Sequence, residues 1–471
     1  MTFINDEEMA GPLSDKTVPA RHSSVRSKYK SGNFSGSVFL ISAEGQVLNL
    51  PIPTNSSLDP LNWTKMKQAR AFLALYVFCI TGNVLMQGPT YLLDAFRNQF
   101  SEAVFLMVID ITFIHQRPQA IAMLWCVVGS ITSTLLATIP RAIKPTTTWR
   151  IFHYSWAIPA LLSLLLAFFF YPETYFIRPP VAFNGRILVQ SATEKVRIYE
   201  DWEEVPGGKA LPETPNQRPW IRDLKFRGIT CGGWKAMRGC YSQVLGCLVN
   251  PLIFWVALLN ACVLASMLSI SETYVEILKN PRYNLSRNAC ALIHMAGAIG
   301  ALVAYPVSGC LTASVTCRLT IRNHGVRDAE HYLPAFILPI ITGIVNIVIY
   351  GVAAEYKWHY MWIYFAYGLS VFTFISLSTA NILWVTEAFP RWAAPALVVI
   401  SGGSNIASFG ISFGIMPWIR SQGQANADIE IGVLIAVIGL VAVPIAFWGK
   451  DLRQHIHERW GTSQLGALRP Q

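Results

Sequence analysis

A chain of 471 residues that is 53% hydrophobic and only 14% charged, with mean hydropathy +0.39, carries more apolar surface than a soluble fold of that length buries, so it belongs in a bilayer. Its net charge of +10 does not point to nucleic acid, because Lys and Arg fall in the termini and in loops between apolar runs, the pattern of cytoplasmic retention. The nine cysteines follow no zinc spacing and are odd in number, so they are read as free thiols.

Residues 1–68 are polar, rich in Ser, Pro and Lys, and place Arg21, Arg26, Lys28, Lys30, Lys65 and Lys67 ahead of the first apolar run. They read as a largely disordered cytoplasmic tail. There is no signal peptide, and insertion would use the first span as its own signal. The region 69–174 is the first transmembrane part. Its run 71–93 is long enough to cross, since about 20 apolar residues at ~1.5 Å each span roughly 30 Å. That run contains Gly82, Asn83, Gln87, Gly88 and Pro89, which a simple lipid anchor does not need, so it is expected to face other helices or water. The run 103–113 is short and interrupted by Asp110, whereas 120–139 and 151–171 are clear spans.

Residues 175–249 are dense in Lys and Arg and broken by Pro179, Pro180, Pro206, Pro212, Pro215 and Pro219. Such a segment cannot lie in hydrocarbon, and basic loops beside spans stay inside. It therefore reads as a cytoplasmic linker between two halves. The region 250–449 holds six further spans, at 252–270, 289–307, 333–354, 361–383, 393–415 and 431–448, before a basic tail at 450–471. With the N-terminus inside, the linker is reached inside only after an even number of crossings. Three clear ones precede it, so either 100–114 also crosses, tilted or in a thinned bilayer, or something is missing there. About ten spans are expected in all.

Several short motifs recur in a fixed order: Asp59-Pro60-Leu61-Asn62-Trp63, the stretch from Asp110 to Gln119 with His115 and Arg117, Trp149-Arg150, and Pro172-Glu173-Thr174-Tyr175. They continue in Asn323-His324-Gly325-Val326-Arg327-Asp328-Ala329-Glu330 and Glu387-Ala388-Phe389-Pro390. Together, over roughly residues 50–460, they resemble the major facilitator superfamily, and within it the drug:proton antiporter branch common in filamentous fungi. The resemblance implies an all-α polytopic membrane protein, a helical bundle working by alternating access. Members of that family have twelve spans, with a Gly- and Arg-rich cytoplasmic gating loop between the second and third. This chain departs from the pattern: that loop is absent, and spans two, three and part of four are missing. An incomplete gene model or a shortened transporter would account for the gap.

Polar groups at bilayer depth are expensive and mark pathways or helix contacts. The candidates for substrate contact are Asn83, Gln87, Asn260, His294, Tyr305, Asn381 and Asn405. Neutral amides suit a broad apolar cavity in which a few hydrogen bonds orient the substrate; for each, an interhelical hydrogen bond is the alternative. Trp255 and Trp384 are read either as stacking platforms or as lipid-facing aromatics. For proton coupling or gating the candidates are Asp110, Arg117, Glu272 and Glu387, with His294 the mid-span imidazole. Asp110 lies near Arg117, which also suits a gate ion pair, and Glu272 and Glu387 lie near helix ends, where a latch is the competing role.

The small-residue runs 401–404 and 410–414, and Gly297 and Gly300 with Pro306, are expected to pack helices closely. Asn284-Leu285-Ser286 is the acceptor sequon on an expected outer loop. Nothing in the chain forms a nucleophile elbow, a phosphate-cradling loop or a metal-binding pair, so neither an enzyme nor a cofactor is expected. The expectation is a monomeric plasma-membrane exporter of small, largely apolar organic compounds, with both termini cytoplasmic and protons as the driving ion. Efflux and proton coupling are what the resemblance implies. A nutrient or polyamine importer of the same superfamily is the nearest alternative, weakened by the scarcity of mid-span acids, and a non-transporting degenerate relative is another.

Overall fold

The computed structural model describes residues 37–39, 59–87, 107–142, 149–171, 181–183, 186–190, 196–199, 233–323, 325–390 and 392–460, all within one unit, Ser35–Gln471. The helices before the linker are α1 (Lys65–Gln87), α2 (Arg117–Ala142) and α3 (Trp149–Phe170). After it come α4 (Gly233–Val249), α5 (Pro251–Lys279), the interrupted helix α6 (Arg287–Arg322), α7 (Pro334–Glu355), α8 (Met361–Ala388), α9 (Ala393–Gln422), α10 (Gln424–Leu440) and α11 (Ala442–Trp460).

Seven helices among the described residues are long and apolar enough to cross a membrane: α2, the five from α5 to α9, and α10 running into α11. Each of the six apolar runs after residue 250 lies in one of them. The protein is a multi-pass helical membrane protein. The apolar run 71–93 is described only as far as Gln87, and 100–114 is described only from residue 107 onward.

Short strands interrupt the all-α picture. β1 (Ser37–Phe39), from the segment read as a disordered tail, pairs antiparallel with β5 (Val326–Asp328). Within the linker, β2 (Val181–Phe183), β3 (Arg186–Gln190) and β4 (Val196–Tyr199) form an antiparallel meander. Ile187 and Val189 in β3 supply the β-branched content that strands favour.

Local chemistry fixes several helix ends. The carboxylate of Asp59 accepts from the amide of Leu61 at 3.1 Å and starts a 3₁₀ turn, Pro60–Asn62, while Lys67 lies 4.5 Å over the Trp63 ring. The early motif is therefore a cap and brace for α1. Asn250 caps α5, accepting from Leu252 at 3.0 Å, with Pro251 at the first helical position. Gly423, at φ 90°, turns α9 into α10.

The most enclosed helix is α8, with 83% of its apolar window buried. It packs against α5, α6, α7 and α2. The α6–α8 contact is very close, for a Cβ at Gly300 would stand 2.0 Å from the carbonyl oxygen of Gly368, and one at Gly368 2.8 Å from that of Ala296. Gly297 likewise leaves room for Tyr367. Pro306, which has no amide hydrogen to continue the ladder, lies in a π-helical turn at Tyr305–Leu311. The close-packed, bent helix read from Gly297, Gly300 and Pro306 is thus present.

The small-residue face of α9 is different. Around Gly402, Gly403, Gly410 and Gly414 no described heavy atom lies within 4 Å of where a Cβ would be, and Ile406, Phe409 and Phe413 are 76%, 60% and 69% exposed. The expected close packing is not made there by any described residue. The reason is the helix's rotation: α9 packs on α5 and buries Leu397, Ile400 and Ser404, leaving its glycines on the open side.

Tyr171, just past α3, packs with Trp63, Ala71 and Ile111. The chain therefore enters α1, leaves α3 and approaches α2 at one end of the bundle. The turns joining α5 to α6, α7 to α8 and α9 to α10 lie at the other.

Candidate functional site

At the first of those ends the sequence places Phe389-Pro390 after α8. Proline disfavours helix in the residue before it, and Phe389 leaves the helix at φ −129°, ψ 60°. Glu387 is thereby held in the last turn, 6% exposed. Two guanidiniums converge on it: Arg117, opening α2, at 3.8 Å, and Arg327, in β5, at 3.9 Å. Both are buried as well. The cluster joins a helix that precedes the linker to two segments that follow it. Arg327 also donates to the carbonyl of Ile114 at 3.4 Å and lies 4.6 Å over the Tyr332 ring, contacts that further stabilise its buried charge.

The motif 323–330 builds the next layer. Gly325 adopts φ 81° so that its amide can reach the carbonyl of Thr320, a helix-terminating conformation natural to glycine. The carboxylate of Asp328 then accepts from Asn323 Nδ2 at 3.1 Å and Lys450 Nζ at 3.2 Å, and Glu330 pairs with the buried Arg453 at 3.0 Å. Lys450 and Arg453, one helical turn apart on α11, clamp the tail to this loop. Five of these residues were not singled out from sequence as site residues: Arg327, Asp328, Glu330, Lys450 and Arg453. The signal available was the acid–base alternation of 327–330 against the Lys450, Arg453 spacing.

Farther into the bundle, Asn260 of α5 accepts from Asn381 Nδ2 of α8 at 3.1 Å and donates to Ser404 Oγ of α9 at 2.9 Å. All three are buried. A third cluster joins His294 to Tyr367 at 2.8 Å and Tyr274 at 3.4 Å, with the three rings in mutual contact.

The remaining candidates lie on other parts of the helices. Asn83 and Asn405 donate to carbonyls of their own helices, Cys79 and Ser401. Gln87 ends α1 with its side chain outside the described residues, and Tyr305 opens the π turn, half-buried beside Cys310. Asp110 lies in a short helical stretch at 107–111 ahead of Arg117. Glu272 accepts from Ser412 of α9. Trp255 and Trp384 are neither platforms nor lipid anchors, being buried edge to face with centroids 6.1 Å apart. Asn284 is exposed, at φ 44°, in the loop before α6. Among the described residues no group of three His, Cys, Asp or Glu side chains is placed to hold a metal ion.

A bundle of apolar helices tied by buried charges at one end and by amides and hydroxyls within defines a class, the multi-pass membrane proteins whose helices enclose polar groups. No family model matches the chain. It is 27% identical over 180 residues to an uncharacterized MFS-type transporter of Schizosaccharomyces pombe, a match covering 38% of this chain and 31% of that protein. It is also 22% identical over 173 residues to the protein HOL1 of Saccharomyces cerevisiae, covering 37% of this chain and 30% of HOL1. The matched stretch is thus about a third of the length of these curated relatives.

Proposed function

We propose that the protein is a secondary transporter of the major facilitator superfamily, exporting small, largely apolar organic compounds across the plasma membrane by alternating access, with protons as the driving ion. The observation that carries this reading is the buried Arg117–Glu387–Arg327 cluster. It is a latch of opposite charges drawn from segments on both sides of the linker, placed where two halves would part when the cavity opens at that end. The fungal relatives, one of them named an MFS-type transporter, support the superfamily. The charge-rich end is read as cytoplasmic, with both termini and the linker on that side.

Export is tested with the full chain expressed in a yeast lacking its major exporters, loaded with a panel of apolar fluorescent dyes. Lower dye retention than in vector controls is expected, with retention restored when a protonophore collapses the gradient. Equal retention for every dye refutes export, and a retention difference that ignores the protonophore refutes the proton as driving ion.

A further inference from the structure

Away from the charged latch, at the opposite end of the bundle, a carboxylate lies wholly inside the protein. Asp428, on the second turn of α10, is 0% exposed. Its Oδ1 accepts from Ser269 Oγ of α5 and its Oδ2 from Gln424 Nε2 of its own helix, both at 2.7 Å. On the third side stands Gly351 of α7, where a Cβ would meet the Asp428 Cβ at 2.7 Å, so α7 is drawn against the carboxyl with no space for water between them.

The surroundings lack a counter-charge. Among the described residues no Lys, Arg or His forms an ion pair with Asp428. From α7 the titratable groups nearest are Tyr350, whose hydroxyl is bonded to Thr273 at 2.6 Å, and Glu355, whose carboxylate accepts from the amide of Gln424 at 3.0 Å. From α5 come the hydroxyls of Ser269 and Thr273, while Glu272 is turned to Ser412. On α10 itself Glu430 is exposed and accepts from Trp418 of α9, and Arg420 of α9 is exposed too. The described partners of the carboxyl are neutral. An anion held among neutral donors, without a cation or water, is strongly disfavoured, whereas the neutral acid is tolerated.

We infer that Asp428 is a proton-binding site, holding its carboxyl neutral while α5, α7 and α10 are packed and giving up the proton only when their ends part and water reaches it. Protonation and closure of this end are then one event, because the three helices that supply the partners of the carboxyl are those that must separate to hydrate it. In the proton-driven cycle proposed above, which this consequence alone rests on, Asp428 is where the driving ion is taken up. The site differs from Asp110, Glu272 and Glu387, the acids singled out by sequence.

The test is infrared difference spectroscopy on the purified full-length protein in lipid nanodiscs, titrated from mildly acidic to alkaline pH, comparing wild type with Asp428→Asn. The expected result is a protonated-carboxyl carbonyl band in the wild type that is lost as pH rises and is missing from the variant throughout. Identical titrations overturn the proposal. Should Asp428→Asn not fold, Ser269→Ala serves, since it keeps the carboxyl but removes one donor: the band must shift in frequency, and an unshifted band overturns the assignment. Neither readout needs transport. A protein that shows the band yet moves no dye supports the proton site and sinks export alone; one that moves dye without the band sinks the proton site alone.

Discussion

Replacing Glu387 by Gln keeps the shape of the side chain and removes a carboxylate that faces Arg117 and Arg327 at 3.8 and 3.9 Å. At an effective dielectric of about 20, each of those contacts amounts to about 4 kcal/mol of attraction before desolvation and mutual repulsion are subtracted. Both guanidiniums are 4% exposed or less, so in the variant two buried cations lose an anion they share, and breaking a buried pair in this way costs about 3–5 kcal/mol. Purified wild type and variant are compared by thermal unfolding in detergent, with a thiol-reactive dye reporting exposure of buried cysteines such as Cys126 and Cys247. The Glu387→Gln midpoint is expected several degrees below wild type. Arg327→Ala alone costs less, because it leaves a one-to-one pair between Arg117 and Glu387. Added to Glu387→Gln, Arg327→Ala restores part of the loss, because it removes one of the stranded cations. A Glu387→Gln protein as stable as wild type refutes the reasoning, and so does strict additivity of the two changes, since coupled charges cannot be additive.

Three further outcomes follow from contacts elsewhere. Gly300→Leu drives a side chain into the backbone of α8, 2.0 Å away at Gly368, and should abolish stable expression, whereas Gly410→Ala, with no described atom within 4 Å, should leave the unfolding midpoint nearly unchanged; equal effects would refute the packing. Asn260→Ala removes the acceptor of Asn381 and the donor to Ser404 and should cost about 1–2 kcal/mol, with Asn260→Leu/Asn381→Leu costing less than the sum of the single changes. The exposed Asn284 should give a glycosidase-sensitive mass shift that disappears in Asn284→Gln; a shift that survives the substitution places another sequon outside and overturns the orientation.

The helices after the linker were legible because hydropathy over twenty residues is a one-dimensional property, and each run keeps it without interruption. Helix rotation is not one-dimensional. Gly297, Gly300 and Gly368 on one hand, and Gly402, Gly403, Gly410 and Gly414 on the other, look alike in sequence. The first set meets neighbouring backbone and side chains, and the second meets nothing described, because Ser404 and Leu397 turn α9 toward α5. A stripe of small residues says that a helix can be approached, not that a neighbour is there.

The site followed the same division. Glu387 and Arg117 stand 270 positions apart, yet both were readable as candidates, because an ionised side chain beside an apolar run is conspicuous wherever it falls. Asp428 was not readable: it lies three residues before the run 431–448, where an acid in a loop at the membrane surface is the ordinary expectation. Its burial depends on Gly423 turning the chain at φ 90°, on Gln424 starting α10 inside the bundle, and on Gly351 admitting the carboxyl to the face of α7. The last of these, Gly351, lies 77 positions away in sequence. The amides at 260 and 381 carry the converse lesson, since each suits a substrate-lined cavity in isolation, and only their mutual hydrogen bond at 3.1 Å shows that one donor of Asn381 is already engaged between helices. A ligand that takes that donor must displace this bond, so binding through it and loosening of α8 against α5 would be the same step.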